Sequence, residues 1–207
     1  MTIVRQLTRE FEPIKRQIKA AYVAVGMITQ EKFDYFMRGL ADCHEITILT
    51  GIHMPTPPDI LDKIQQLTSL GRIASGLYAD NFFHPKLYLF QLNSGWVAFV
   101  GSGNFTNGGW SRNEELFVKV NDQVICRSLK ELHDQWMRQS IPINDNLVAR
   151  YRQTYQDNFH RRNEEKRSID GGRIHEIGLQ DHFRRNRQPQ HADRFTLKRC
   201  NRERRRE

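Results

Sequence analysis

Apolar positions along the first 70 residues switch between helical and strand spacing. Phe11, Ile14 and Ile18 follow a possible Thr8 cap at helical intervals and predict a helix over residues 8–19. Ala20–Met27 is a short apolar run that reads as a buried strand. Thr29 can cap a second helix with Phe33, Phe36, Met37 and Leu40 on its apolar face. Glu45–Gly51 predicts another strand, and Pro58 sits where a third helix, running to about Leu67, would take its first turn. From Gly71 to Asn121 the pattern becomes strand after strand: RIASGLYA, HPKLYLFQL, GWVAFVG and ELFVKV, with Asn93-Ser94-Gly95 as a hairpin turn. Residues 122–139 return to helix, with Val124, Leu129, Leu132 and Trp136 expected inside, and a last helix is predicted over about 144–166. This order predicts an α/β fold, a mixed β-sheet flanked by helices. Residues 1–142 would form the domain, and 143–207 a C-terminal extension, helical at first and partly disordered after Gly171-Gly172.

Charge sharpens that division. Residues 1–150 hold 16 Lys and Arg against 15 Asp and Glu, a net of +1, whereas residues 151–207 hold 16 against 9, a net of +7. A nearly neutral body with a basic tail suits a polyanionic partner, or a solvated terminus. The three cysteines, Cys43, Cys126 and Cys200, form no CxxC pair, so free thiols are expected rather than a disulfide framework. No run approaches the roughly 20 apolar residues that span a bilayer. The first residues also lack the apolar core of a secretory signal, so the expectation is a cytoplasmic protein without a membrane partner.

The segment from His84 to Glu115 carries the candidate chemistry. His84 and Lys86 are two apart on a predicted strand and share a face, with Tyr88 continuing it. A lysine beside a histidine suits a phosphate and favours the neutral, nucleophilic imidazole. The next strand runs into Gly101-Ser102-Gly103-Asn104, where glycines allow close backbone approach and the Ser hydroxyl and Asn amide can donate to phosphate oxygens. Glu115, eleven residues on, could orient a histidine. Taken singly, each piece also has a plain structural reading: a satisfied strand histidine, a loop, a solvated charge. Trp110 could contact substrate or pack over the site.

In order, these pieces resemble the HKD motif of the phospholipase D superfamily. The matching residues are His84 and Lys86, then Gly101, Ser102 and Asn104, then Glu115. GSGNFTNGGWSRNEE is similar to the nuclease branch, especially in Asn104-Phe105-Thr106 and Asn113-Glu114-Glu115. Gln91 stands where the family's motif has an aspartate, and the metal-independent restriction endonucleases of the superfamily also vary there. The resemblance covers roughly residues 15–140.

That resemblance implies a metal-independent endonuclease that cleaves DNA through a phosphohistidine on His84. The family's site needs two motifs and this chain has one, so the resemblance further implies a homodimer sharing one site. Lys86 and Asn104 would stabilise charge on the phosphate, Gly101 and Ser102 would bind it, and Glu115 would hold the His84 ring. Arg152, Arg161, Arg162, Arg184, Arg185 and Arg187 become candidates for DNA phosphate contacts. His44, His53, His133, His160, His175, His182 and His191 show no HxH or HExxH spacing, so no metal and no cofactor are expected. Two alternatives stand beside this reading: a phospholipase or phosphatidyl transferase on the same fold, and a non-cleaving DNA-binding subunit of a restriction or defence complex. The sequence leaves open whether the substrate is double-stranded DNA, single-stranded DNA or RNA.

Overall fold

The long apolar run near residue 20 belongs to a strand covered on both faces, which is why it does not alternate with polar residues. The computed structural model describes residues 1–54 and 56–168, with side chains to residue 156. Among these, seven strands form one mixed sheet: β1 (Thr2–Val4), β2 (Ile18–Val25), β3 (Glu45–Gly51), β4 (Ala74–Tyr78), β5 (Lys86–Leu92), β6 (Gly95–Gly101) and β7 (Phe117–Val120). Their order across the sheet is β1-β7-β6-β5-β2-β3-β4. β2, β3 and β4 run parallel, and the remaining pairs are antiparallel. Residues 1–157 form one compact unit, which holds the whole sheet.

The helices are α1 (Leu7–Phe11), α2 (Gln30–Gly39), α3 (Pro58–Ser69), α4 (Gln123–Gln139) and α5 (Asp145–Ser168). Alternate residues of β2 serve two cores. Ala21, Val23 and Val25 face Phe11, Phe33, Phe36, Ile60 and Ile64 of the first three helices, joined by Val148 of α5. Ala20, Tyr22 and Ala24 face the other way, where α4 supplies Cys126 with Leu129, Trp136 and Met137 packed against them. The period of two in the strand thus separates two hydrophobic layers, and burial of both sides supplies most of the driving force. Among the described residues, no helix is long and apolar enough to cross a membrane.

Three local expectations change. The helix predicted over 8–19 stops at Phe11, followed by a short 3₁₀ turn at Lys15–Gln17, and Ile18 already opens β2. Pro13 explains this: it has no backbone N–H to donate one turn back, and its ring obstructs a continuing helix. On α4 the buried face is rotated, because Cys126 and His133 lie fully inside while Val124 is 65% and Leu132 37% exposed. Strand β1 was not anticipated; three residues are too few to show a period, and pairing of Ile3 with Val118 holds them at the sheet edge.

Buried His133 gives the fold a pH dependence. Its ring meets Tyr22 edge-on at 5.6 Å, with Lys130, Asp134 and Glu45 as its charged neighbours. Burial pushes its pKa down from 6.5 to about 4, outweighing the favourable Asp134 carboxylate. Between these two values the unfolded chain binds more protons than the folded one. This contribution to stability is therefore full above pH 6.5 and is lost as pH falls toward 4. Denaturant midpoints measured at pH 7.5 and 4.5 should differ less in His133→Leu than in the wild type. Equal differences would assign the acid sensitivity to other groups.

Candidate active site

Strand register brings the two halves of the motif together. Lys86, first residue of β5, pairs with Val25, last residue of β2. One strand further over, Leu87 pairs with Val100, so Gly101–Asn104 leaves β6 beside the start of β5. His84 and Lys86 therefore meet the Gly101–Asn104 loop at one edge of the sheet. That edge is also where the parallel strands β2 and β3 end, the usual place for a ligand in an open α/β sheet.

His84 lies just before β5 and is exposed, while Lys86 is only 5% exposed. The segment before them is tied down by Phe83, which is buried, stacks on Tyr78 at 4.8 Å and meets Trp136 edge-on at 5.5 Å. Gly51 makes that anchoring possible: a Cβ there would lie 2.8 Å from the Cβ of Phe83. The Lys86 ammonium donates to the His84 carbonyl oxygen at 3.0 Å. Partial desolvation, and then the Lys86 charge, lower the pKa of His84. The imidazole is thus biased toward its neutral, nucleophilic form near pH 7. Burial lowers the pKa of Lys86 as well, and the Glu115 carboxylate opposes that shift.

The Gly101–Asn104 loop is held by hydrogen bonds to its neighbours. The Ser102 hydroxyl donates to Glu115 and accepts from the Leu116 backbone N–H at 3.1 Å, and the Asn113 amide donates to Glu115 at 3.3 Å. Within the chain Glu115 is thus bonded to Ser102 and Asn113, while the ring stacked on His84 is that of Phe82, at 5.3 Å. Asn104 is the least committed member. Among the described residues, its amide nitrogen meets only the Met54 thioether, at 3.8 Å, and its carbonyl oxygen is buried without a partner. A sulfur is a weak acceptor, so the amide is available to a stronger one. Gly101 is packed tightly, since a Cβ there would lie 2.1 Å from the Leu116 carbonyl oxygen. Register and loop thus bring a buried lysine, an amide bonded to no strong acceptor and an imidazole of lowered pKa to one end of the central strands.

Other sequence expectations divide. Trp110 is fully buried, stacked on Phe105 at 5.5 Å and edge-on to Tyr88 at 5.2 Å, so it belongs to the core beneath the site. Arg152 bridges Asp59, at 2.7 Å, and Asp62 of α3, which occupies the guanidinium expected on a phosphate and ties α5 to the body of the domain. Arg161 and Arg162 fall on α5 past the last described side chain, and Arg184, Arg185 and Arg187 lie outside the described residues. Sequence reasoning missed Phe82, His53 and Met54 at the mouth of the site. The aromatic pair immediately before His84 was the available signal for the first.

A family model described as "Cardiolipin synthase, PLD-like domain" matches residues 14–138. The chain belongs to this phospholipase D-like family, for which phosphodiester chemistry is the class of activity. Two solved structures are similar in fold. NucT from Helicobacter pylori has a TM-score of 0.50 at 12% identity, covering 68% of this chain and 96% of that one. Nuc from Salmonella typhimurium, described as a phospholipase D family member, has a TM-score of 0.50 at 15% identity and the same coverage. No curated protein matches the sequence.

The loop should be intolerant of bulk. A Cβ at Gly103 would lie 2.2 Å from the Gly109 carbonyl oxygen and 2.5 Å from the Phe117 ring. Gly103→Ala is expected to lower the denaturation midpoint, at the upper end of the roughly 1–3 kcal/mol that overpacking costs. A midpoint equal to wild type would show that the loop opens without strain.

Proposed function

We propose that the protein is a metal-independent endonuclease that cleaves DNA at a site shared by two copies of the chain. The observation that carries this reading is the pairing of exposed His84 with buried Lys86 beside the uncommitted Asn104 amide. In the first step a His84 ring nitrogen attacks phosphorus. A P–N bond forms as the P–O bond to the leaving oxygen breaks, and the protonated His84 of the second chain gives that oxygen its proton. In the second step water attacks phosphorus, passing a proton to that same second histidine. The P–N bond breaks and His84 is regenerated.

Lys86 and Asn104 hold the non-bridging oxygens and stabilise the charge that develops on them. Ser102 and Gly101 shape the loop against the phosphate, and Glu115 fixes Ser102. A dimer answers the need for a second imidazole, because a two-fold axis at this edge places two identical motifs on one phosphate. The excess of +7 in residues 151–207 supports a nucleic acid partner, with Arg161, Arg162, Arg184 and Arg185 adding sequence-independent affinity. The family description favours one second reading, transfer or hydrolysis of a phosphatidyl group by the same histidine.

Plasmid DNA incubated with the purified protein in excess EDTA should be cut. His84→Ala should lose about four orders of magnitude or more in rate while keeping the wild-type circular dichroism spectrum. Sedimentation should show the active species to be a dimer. Full activity in folded His84→Ala, or in a monomer, would remove the assignment. Turnover of a phosphatidyl substrate without any of DNA would transfer it to the second reading.

A further inference from the structure

Beside His84 stands an aromatic surface with no role in the chemistry above. Phe82 is 62% exposed, although it directly precedes Phe83, the buried phenylalanine of the second core. Its ring lies 5.3 Å from that of His84 at an interplanar angle of 29°, and 5.7 Å from that of His53 at 50°. The three rings come from the two loops that follow β3 and β4. Phe82 and His53 flank His84 on the side of the parallel strands, whereas the Gly101–Asn104 loop enters from the β6 side.

We propose that Phe82, with His53 at its edge, is a stacking platform for an unpaired nucleobase next to the scissile phosphate. The proposal rests on the nuclease reading and narrows its substrate to single-stranded or locally opened nucleic acid. A phosphate held by Lys86 and Asn104 leaves its neighbouring base within reach of a flat apolar ring. That ring is stacked on the attacking imidazole, and the segment carrying both is anchored by buried Phe83. In a duplex both faces of a base are already covered by its neighbours, so the platform can reward only a base that has left the stack. Stacking of this kind tolerates any base, which fits a contact made by a ring with no hydrogen-bonding group. The glycerol backbone of a phospholipid offers no planar ring to the same surface.

The test compares wild type, Phe82→Ala and Phe82→Trp on three substrates: a single-stranded oligonucleotide, its duplex, and a strand with an abasic tract around the cleaved bond. Because Phe82 is exposed, all three proteins should melt alike. The wild type is expected to prefer the single strand, and Phe82→Ala should raise KM for it roughly ten- to hundred-fold. The Ala variant should leave cleavage of the abasic tract unchanged, and Phe82→Trp should restore the wild-type KM. An unchanged KM in Phe82→Ala would overturn the platform. So would an equal fall of kcat on base-bearing and abasic strands, since that is the signature of a ring that merely positions His84. If the wild type cuts no strand, the nuclease reading fails by itself. Fluorescence anisotropy with the same strands then decides the platform: it stands if Phe82→Ala binds the single strand at least ten-fold more weakly than wild type, and falls if the two bind alike.

Discussion

The site depends on the pairing of β5 between β2 and β6. Because Lys86 lies opposite Val25 and Leu87 opposite Val100, the start of one strand and the end of another emerge side by side. A slip of one residue in either register would turn Lys86 to the other face and separate it from the Asn104 loop. Registers of this kind are fixed by burial on both sides. Tyr88 and Phe90 fill one core while Leu87 and Leu89 fill the other, so no alternative pairing keeps both layers apolar.

Placing an ammonium at that junction has an electrostatic cost, and the structure meets it in two ways. Lys86 keeps a hydrogen bond to the His84 carbonyl and feels the Glu115 carboxylate across the loop. The remaining imbalance depresses the proton affinity of both Lys86 and His84. Desolvation of each group is the larger cause of its own shift, and the Lys86 charge adds to the shift of His84, which favours the neutral imidazole that the proposed attack requires. The aromatic layer under the site, Tyr88, Phe105 and Trp110, is fully buried, and the Tyr88 hydroxyl donates to the Gly103 carbonyl at 3.0 Å.

Much of this was legible from the chain. β3 carries the bounds predicted for it, β2 and β5–β7 lie within a few residues of theirs, and the order of motif residues pointed to the family before any geometry was known. What failed did so for identifiable reasons. Pro13 cut a helix that apolar spacing alone would have extended. His133 and Cys126 set the phase of α4, although neither residue type announces a core position as leucine does. Commitments of polar groups were the least visible: the spacing showed Glu115 near the motif, but not that Ser102 and Asn113 would occupy it. Nor does an arginine count reveal that Arg152 is tied to Asp59 and Asp62.

Phe83 carries a mechanical consequence. Its ring is wedged between Tyr78 and Trp136 on the α4 side of the sheet, one residue from His84. The proposed nucleophile, His84, is thereby braced against α4. A change in how α4 seats on the sheet would be transmitted through one peptide unit to its ring. If His84 acts as proposed, substitutions at Trp136 would alter reaction geometry and stability at once, because Trp136 packs edge-on against Phe83.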